Sequence, residues 1–340
     1  MFIKRINFCS ETINNFEKII DVRSELEFEE DAIPTSENVP VLNNFQRKRV
    51  GKIYKNDPFE ARKIGATIIV KNIETFLKKN SLSKSQNILI YCWRGGMRSL
   101  SLYLILKNIG YKVTILDKGY KEYRSFINNF FMNELGSIKF KILNGLTGTG
   151  KTFFLNKMSN SYSVIDFEKL ACHKGSILGD IPGISQPTQK KFESRIWYSM
   201  FESKFKKEFW VESESHRIGK LFIPNKLFDK MKKGKVFNLI VPKKTRVNFI
   251  LKDYKYLLIQ KKKLSNSLLI LKKFIGEKEF KNLKEQIEKK DYNKFVLNLL
   301  DLHYDKVYKR IQNYRTAYRQ IKLNSIDNYA FEILLKKLNG

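Results

Sequence analysis

Residues 87–110 read NILIYCWRGGMRSLSLYLILKNIG. The run NILIYC (87–92) is a short, continuous apolar stretch of the kind buried on both faces of a sheet. A glycine-rich loop follows. MRSLSLYLILKNIG (97–110) then reads as a mostly apolar helix, closed by Gly110 as a C-cap. Strand, loop and helix in that order form half of a parallel crossover unit. The neighbouring sequence repeats the pattern. KIIDVRS (18–24) reads as a strand, FEARKIGATIIVKNIETFLKK (59–79) as a long helix, and KVTILDKGY (112–120) as a strand and turn. In the long helix, apolar positions 61, 64, 68, 69, 73, 76 and 77 follow the 3.6-residue period. The expectation is an α/β architecture whose parallel sheet is covered on both faces.

After a connecting helix and linker at 121–137 a second alternation begins. FKILNG (140–145) is a strand, GLTGTGKT (145–152) a glycine loop leading into a helix from Lys151, and YSVIDF (162–167), EFWVESE (208–214) and KVFNLIVP (235–242) are further strands. From about residue 245 the chain is rich in Lys, shows no further clear strand and reads as helical. No internal repeat is present.

The 340 residues suffice for two domains, and a hydrophobic content of 42% is enough for substantial cores. The formal net charge is +31. Residues 1–135 carry 22 Lys and Arg against 15 Asp and Glu, whereas the rest carries 43 against 19. An excess of that size attracts polyanions through counterion release. AT-rich codon usage is the bland alternative, and the run Lys261-Lys262-Lys263 fits it. Three scattered cysteines (Cys9, Cys92, Cys172) point to a reducing compartment rather than a disulfide framework. Neither they nor the histidines His173, His216 and His303 have metal-ligand spacing. No signal-peptide or membrane-spanning run occurs, so a cytoplasmic protein is expected.

Two loops carry chemistry. In GLTGTGKT, Gly145, Thr147, Gly148, Thr149, Gly150, Lys151 and Thr152 fit the phosphate-loop pattern. Glycines let backbone amides turn inward onto phosphate oxygens, and the helix N-terminus adds positive charge. Lys151 reaches the terminal phosphate, and the Thr152 hydroxyl can hold magnesium, with Asp166, Glu212 or Glu214 as the supporting carboxylate. In YCWRGGMRS (91–99), Cys92 ends a strand below a loop whose amides, helix N-terminus, Arg94 and Arg98 favour a thiolate. Such a thiolate is a nucleophile for sulfur, selenium or phosphoryl groups. Cys92 and Arg98 also have the C-x5-R spacing of cysteine phosphatases, although Tyr91 stands where those enzymes usually place histidine. Cys9 and Cys172 lack such surroundings.

Together these segments resemble the bacterial tRNA 2-selenouridine synthase family, a rhodanese-like domain joined to a P-loop domain. The resemblance is carried by DVRS (21–24), NVPVLNNFQRKRVGKIYK (38–55), FEARKIGA (59–66), YCWRGGMRS (91–99), GLTGTGKT (145–152), DFEKLACHKGSILG (166–179), SQPTQKKFESR (185–195) and ESESHRIGKLFIP (212–224). It implies an N-terminal rhodanese-like domain at 1–125 and a P-loop NTPase-like α/β domain at 138–245; the basic excess after residue 135 makes the helical extension at 246–340 the expected tRNA contact. One departure stands at 30–35, where EDAIPT replaces the G-H-I-P-G-A often found in rhodanese domains; the segment reads as a structural turn. The implied reaction replaces the sulfur of wobble 2-thiouridine in tRNA with selenium by way of S-geranyl-2-thiouridine. Geranyl diphosphate and selenophosphate are the co-substrates, and no tightly bound cofactor is expected. Cys92, with Arg94 and Arg98, is implied to handle selenium as an S-selanyl adduct, and the phosphate loop to take the diphosphate. His173, Lys174, Ser176, Glu212, Glu214, His216 and Arg217 either line the phosphate-loop pocket or brace the fold; Gln186 and Arg195 are weaker candidates. Aromatic residues in YDKVYKRIQNYRTAYR (304–319) offer stacking surfaces for an extruded base, or a core stripe. The rival reading is a small-molecule P-loop kinase carrying a rhodanese-like sulfur-transfer domain.

Overall fold

The computed structural model describes residues 3–79, 82–176, 178–204, 206–255, 261–307 and 318–339. Most of the aromatic stretch at 304–319 (residues 308–317), and the side chains of Lys261 to Lys263, lie outside the described residues. Two compact units are present. The first comprises residues 1–135 and 187–201, the second 136–186 and 202–340.

The sheet of the first unit contains β1 (Arg5–Ile6), β2 (Lys18–Asp21), β3 (Glu37–Asn38), β4 (Asn87–Tyr91) and β5 (Lys112–Leu116). Their order is β1-β5-β4-β2-β3, and every pairing is parallel. Burial on both faces explains the unbroken apolar strands: Ile88, Leu89, Ile90 and Tyr91 are all inaccessible to solvent. Helix Met97–Ile109 ends at Gly110 in the left-handed conformation, with φ 107°. Helix Pro58–Lys79 buries Ala61, Gly65, Ile69, Ile73 and Phe76, the stripe its periodicity requires.

The connecting helix expected near 121–137 is part of this core. Helix Tyr120–Asn129 and the π-turn Phe130–Glu134 bury Tyr123, Ile127, Phe130 and Phe131. The chain also returns to the first unit at 187–201, so the division is not a single cut before residue 138. Helix Gln189–Glu202 is anchored through Asp31, in the EDAIPT turn. Asp31 Oδ2 accepts from Tyr120 Oη at 2.9 Å and Ser194 Oγ at 3.0 Å, with Arg124 Nη1 at 3.4 Å. Burial pushes this carboxyl above the usual carboxylate range, against the pull of Arg124. Trp197 and Phe126 meet edge to face beside it.

The second unit has its own parallel sheet of β6 (Lys139–Gly145), β7 (Val164–Ile165), β8 (Glu208–Glu212), β11 (Lys235–Ile240) and β12 (Arg319–Lys322), ordered β12-β11-β6-β8-β7. A short antiparallel pair, β9 (Arg217–Ile218) and β10 (Leu221–Phe222), lies outside it. β12 corrects the expectation of a purely helical region after 245. It pairs in parallel with β11, and Ile321 is its single buried residue. An edge strand with one buried side chain leaves no apolar run to read. Helices Lys243–Asp253, Lys261–Ile275, Glu277–Glu288 and Tyr292–Leu299 pack around Leu264, Leu268, Leu271, Leu283 and Phe295, whereas helix Asn328–Asn339 puts Ala330 and Leu334 into the core with Leu143, Phe154 and Ile321.

Candidate functional site

β4 delivers Cys92 to the C-terminal edge of the first sheet, where parallel α/β sheets carry their ligands. The loop beyond it turns through Gly95, with φ 65°. It is pinned from behind by Tyr120 N donating to Cys92 O at 2.8 Å and Lys121 N to Trp93 O at 3.1 Å. Gly119 permits that approach: a Cβ there would stand 2.2 Å from the Cys92 carbonyl oxygen. The Ser99 hydroxyl, in the first turn of the following helix, lies 3.3 Å from Cys92 Sγ and 3.0 Å from the Gly96 carbonyl oxygen.

The sulfur forms the floor of an open bowl lined by Arg47, Trp93, Arg94, Gly96, Met97 and Arg98. The three arginines are not equivalent. Arg98 is held by Glu27, through Nη1 to Oε2 at 2.6 Å and Nη2 to Oε1 at 3.2 Å. Burial resists ionisation of Glu27, but Arg98, with help from Arg47, holds its carboxyl below the usual range. Arg94 and Arg47 are exposed at the rim. Arg47 and Glu27 are members of this site that the motif around Cys92 does not reveal, because they lie 45 and 65 residues upstream.

In the second unit, β6 ends in the phosphate loop, with Gly145, Gly148 and Gly150 all at positive φ. Each is tightly surrounded. A Cβ on Gly148 would come 2.6 Å from Ile250 Cδ1, and one on Gly150 would come 2.5 Å from Ile326 Cγ2. Arg246, almost fully buried, braces the loop: Nη1 donates to Thr147 O at 3.0 Å while its fork pairs with Asp305 at 2.9 and 2.8 Å. The Thr149 hydroxyl bonds Leu146 O at 2.9 Å. Lys151 Nζ donates to Gly145 O at 3.0 Å and lies 3.3 Å from Glu212 Oε1. The Thr152 hydroxyl donates to Glu212 Oε2 at 2.7 Å.

Three carboxylates gather here. One oxygen each of Glu168, Glu212 and Glu214 lies within 4.8 Å of the others. Crowding of like charge in a desolvated place raises carboxyl pKa values. Burial, then the charge of Glu212, pushes Glu214 up to about 8 against the pull of Lys151. Burial and the same neighbours push Glu168 well above its usual range. Hard oxygen donors beside a phosphate-loop hydroxyl fit a divalent cation such as magnesium. Of the carboxylates expected from sequence, Glu212 and Glu214 belong to this cluster. Asp166 instead caps helix Phe167–Ala171 by accepting from Lys169 N at 2.9 Å, and Glu168, two residues on, takes the place beside Thr152.

The phosphate loop opens into a cavity of about 1400 Å³. Lys174, Ser176, Glu214 and His216 line it, as do Lys232 and Lys252. Lys174 pairs with Asp253 at 2.7 Å and lies over the Tyr254 ring. His216 packs between Phe222 and Phe228. Phe153, Phe249, Phe274 and His303, which the sequence did not mark as site residues, form much of the remaining wall together with Tyr304, the first residue of the aromatic stretch 304–319. An adjoining pocket is almost wholly apolar, formed by Leu178, Leu251, Leu264, Phe295, Leu299 and their neighbours. The other candidates are not among the residues that line this cavity. His173 is buried and lies 3.5 Å from Asp180; burial lowers its pKa from the usual imidazole range, against the pull of Asp180. Arg217 Nε bonds Gly219 O at 2.7 Å. Gln186 donates to Ala171 O and Ile218 O and accepts from Lys220 N. Arg195 belongs to the returning helix of the first unit.

Among known protein families, the model described as the tRNA 2-selenouridine synthase AAA domain matches residues 138–330, and the rhodanese-like domain model matches residues 9–126. A curated tRNA 2-selenouridine synthase of Aeromonas salmonicida is 32% identical over 69% of this chain and 64% of its own length. Its counterpart in Nitrosomonas eutropha is 33% identical over 69% of this chain and 62% of its own. That of Shewanella frigidimarina is 29% identical over 85% and 87%. The matched stretch therefore spans less than two thirds of the first two relatives. Among the described residues, no helix is long and apolar enough to cross a membrane.

Proposed function

Because the chain belongs to the tRNA 2-selenouridine synthase family, we propose that it exchanges the sulfur of wobble 2-thiouridine in tRNA for selenium, with S-geranyl-2-thiouridine as the intermediate. The observation that carries this reading is the cavity of the second unit. Its phosphate loop opens onto aromatic and aliphatic walls, which suit a diphosphate bearing an apolar tail better than a polar sugar and base. Lys151 and the loop amides bind the diphosphate of geranyl diphosphate, and the apolar wall takes the geranyl chain. The thiocarbonyl sulfur of the base attacks C1 of the geranyl group, the C1–O bond breaks, diphosphate leaves with both electrons of that bond, and the N3 proton of the base is lost to water. A divalent cation at Thr152 and the carboxylates would neutralise part of the charge on that leaving group. Alkylation turns a poor leaving group into a better one.

The selenium step belongs to the Cys92 bowl. Selenophosphate is an anion, and Arg47 and Arg94 at the rim carry the charge to dock it. Selenium bonds to C2 of the base, the P–Se bond is hydrolysed to release phosphate, and the C2–S bond breaks to expel geranylthiolate. Arg98, bound to Glu27, holds the loop in shape. The test is mass spectrometry of 2-thiouridine tRNA incubated with the protein, geranyl diphosphate and selenophosphate. The expected products are the geranylthio intermediate when selenophosphate is withheld, and 2-selenouridine when both are present. Nucleoside triphosphate turnover with no change in the tRNA would favour the kinase reading and defeat this one.

A further inference from the structure

The positive charge of this chain is concentrated after residue 135, where some of the cations are paired locally. On helix Glu277–Glu288, Lys281 pairs with Glu277 and Lys284 with Glu288; beyond its end Lys289 pairs with Glu285, and Lys272, on the helix before it, pairs with Glu277. Lys243 is tied to Asp301 and Arg246 to Asp305. Helix Asn44–Asn56 of the first unit differs. Its sequence NFQRKRVGKIYKN holds Arg47, Lys48, Arg49, Lys52 and Lys55 and no acidic residue, and none of its residues is fully buried. None of these five cations forms a salt bridge within the described residues.

The arrangement of that helix is ordered. Gln46, Val50 and Ile53 share its inner face: Val50 packs on Gly65 of the neighbouring helix, and Gln46 Oε1 accepts from Asn72 at 2.7 Å. At helical spacing, Phe45, Lys48, Arg49, Lys52 and Lys55 then share the outer face. Phe45 is 75% exposed, and Phe59, just past the turn into the next helix, is 76% exposed. A row of cations without salt bridges among the described residues, with the exposed Phe45 ring on the same face and the exposed Phe59 ring at the start of the next helix, matches the phosphates and unstacked bases of a single-stranded RNA loop. Arg47, on the flank, reaches the rim of the Cys92 bowl. Gly51, one turn later, makes room for it: a Cβ there would meet Arg47 Nη1 at 2.9 Å.

We propose that the outer face of helix Asn44–Asn56, with Phe45 and Phe59, is the docking surface for the loop of the substrate RNA, and that Arg47 leads from it to the Cys92 bowl. The proposal rests on the reading of this protein as one that acts on a tRNA base. It places an RNA contact on the first unit, in addition to any on the helical region after residue 245.

Lysine acetylation footprinting of the full chain, read by mass spectrometry with and without unmodified tRNA transcript, tests it directly. Lys48, Lys52 and Lys55 are expected to be protected by tRNA, while Lys278 and Lys281 stay reactive. The variant K48Q/R49Q/K52Q/K55Q is expected to weaken tRNA binding at least tenfold at 0.1 M salt. It should also flatten the slope of log affinity against log salt by about 3, at 0.7–0.9 per lost phosphate contact. Unprotected lysines, or a variant with unchanged slope and affinity, overturn the proposal. So does protection by phosphatidylserine vesicles but not by tRNA, which would assign the face to a membrane surface. If tRNA docks on this face but no sulfur is exchanged, the docking stands and the functional reading falls; sulfur exchange with these lysines unprotected does the reverse.

Discussion

Loading a divalent cation beside the phosphate loop should eject protons, and the amount follows from the carboxylate cluster. Glu214 is held at about 8 by burial and by Glu212. At pH 7 such a group is about nine-tenths protonated, and ionising it costs about 1.4 kcal/mol, a factor of ten in affinity. Magnesium or manganese should therefore bind roughly tenfold more weakly at pH 7 than at pH 9, with at least about one proton released per ion near pH 7. Glu168, raised in the same direction, can only increase that number. Calorimetry at pH 7 in buffers of different ionisation enthalpy counts the protons, and repetition at pH 9 gives the affinity ratio. Glu214→Gln should remove most of the pH dependence. The sign for stability follows from the same shift. The unfolded chain releases this proton near its ordinary value of 4.5, whereas the folded unit keeps it to about 8. The unfolded state thus binds fewer protons between those limits, and stability of the cation-free protein falls as pH rises from about 5 to 8, by on the order of a few kcal/mol. Cation binding should reverse that loss. Zero proton release, with affinity flat from pH 7 to 9, would refute the reasoning.

Three further outcomes are expected. Cys92→Ser should abolish selenium incorporation and leave geranylation of 2-thiouridine tRNA intact, and nucleoside mass spectrometry separates the two products. Gly119→Ala would drive a Cβ into the Cys92 carbonyl at a residue with φ 58°; a loss of at least about 2 kcal/mol in urea unfolding is expected, with a changed alkylation rate at Cys92. Asp31→Ala removes the common acceptor of Tyr120, Arg124 and Ser194. It should cost about 3 kcal/mol and release helix Gln189–Glu202, read as new proteolytic cleavage between 187 and 201.

What could be read from the sequence was what the chain stores locally. β4 and β6 are buried on both faces, so their apolar runs are unbroken and legible. The phosphate loop is legible because its positive-φ turns demand glycine where a side chain would strike Ile250 or Ile326. β12 was hidden because Ile321 is its lone buried residue. Helix Gln189–Glu202 shows a readable apolar stripe of Phe192, Ile196, Trp197 and Met200. A stripe states that a helix must pack, not which core receives it, and here the chain carries it back to the first unit.

The same limit governs the charged residues at both loops. Arg98, six residues from Cys92, satisfies every local expectation of an anion ligand, but Glu27, 71 residues away, occupies its fork. Arg47 has no local relation to Cys92, yet it stands at the rim and, among the described residues, forms no salt bridge. Asp166 ends a strand as a supporting carboxylate should, but the backbone N–H of Lys169 claims it, and Glu168 lies 3.5 Å from the Thr152 hydroxyl. Residue type fixes which chemistry a position can perform. Whether a given guanidinium or carboxylate is free to perform it depends on partners brought by the sheet order: Glu27 takes Arg98, and among the described residues Arg47 and Arg94 line the Cys92 bowl without a salt bridge.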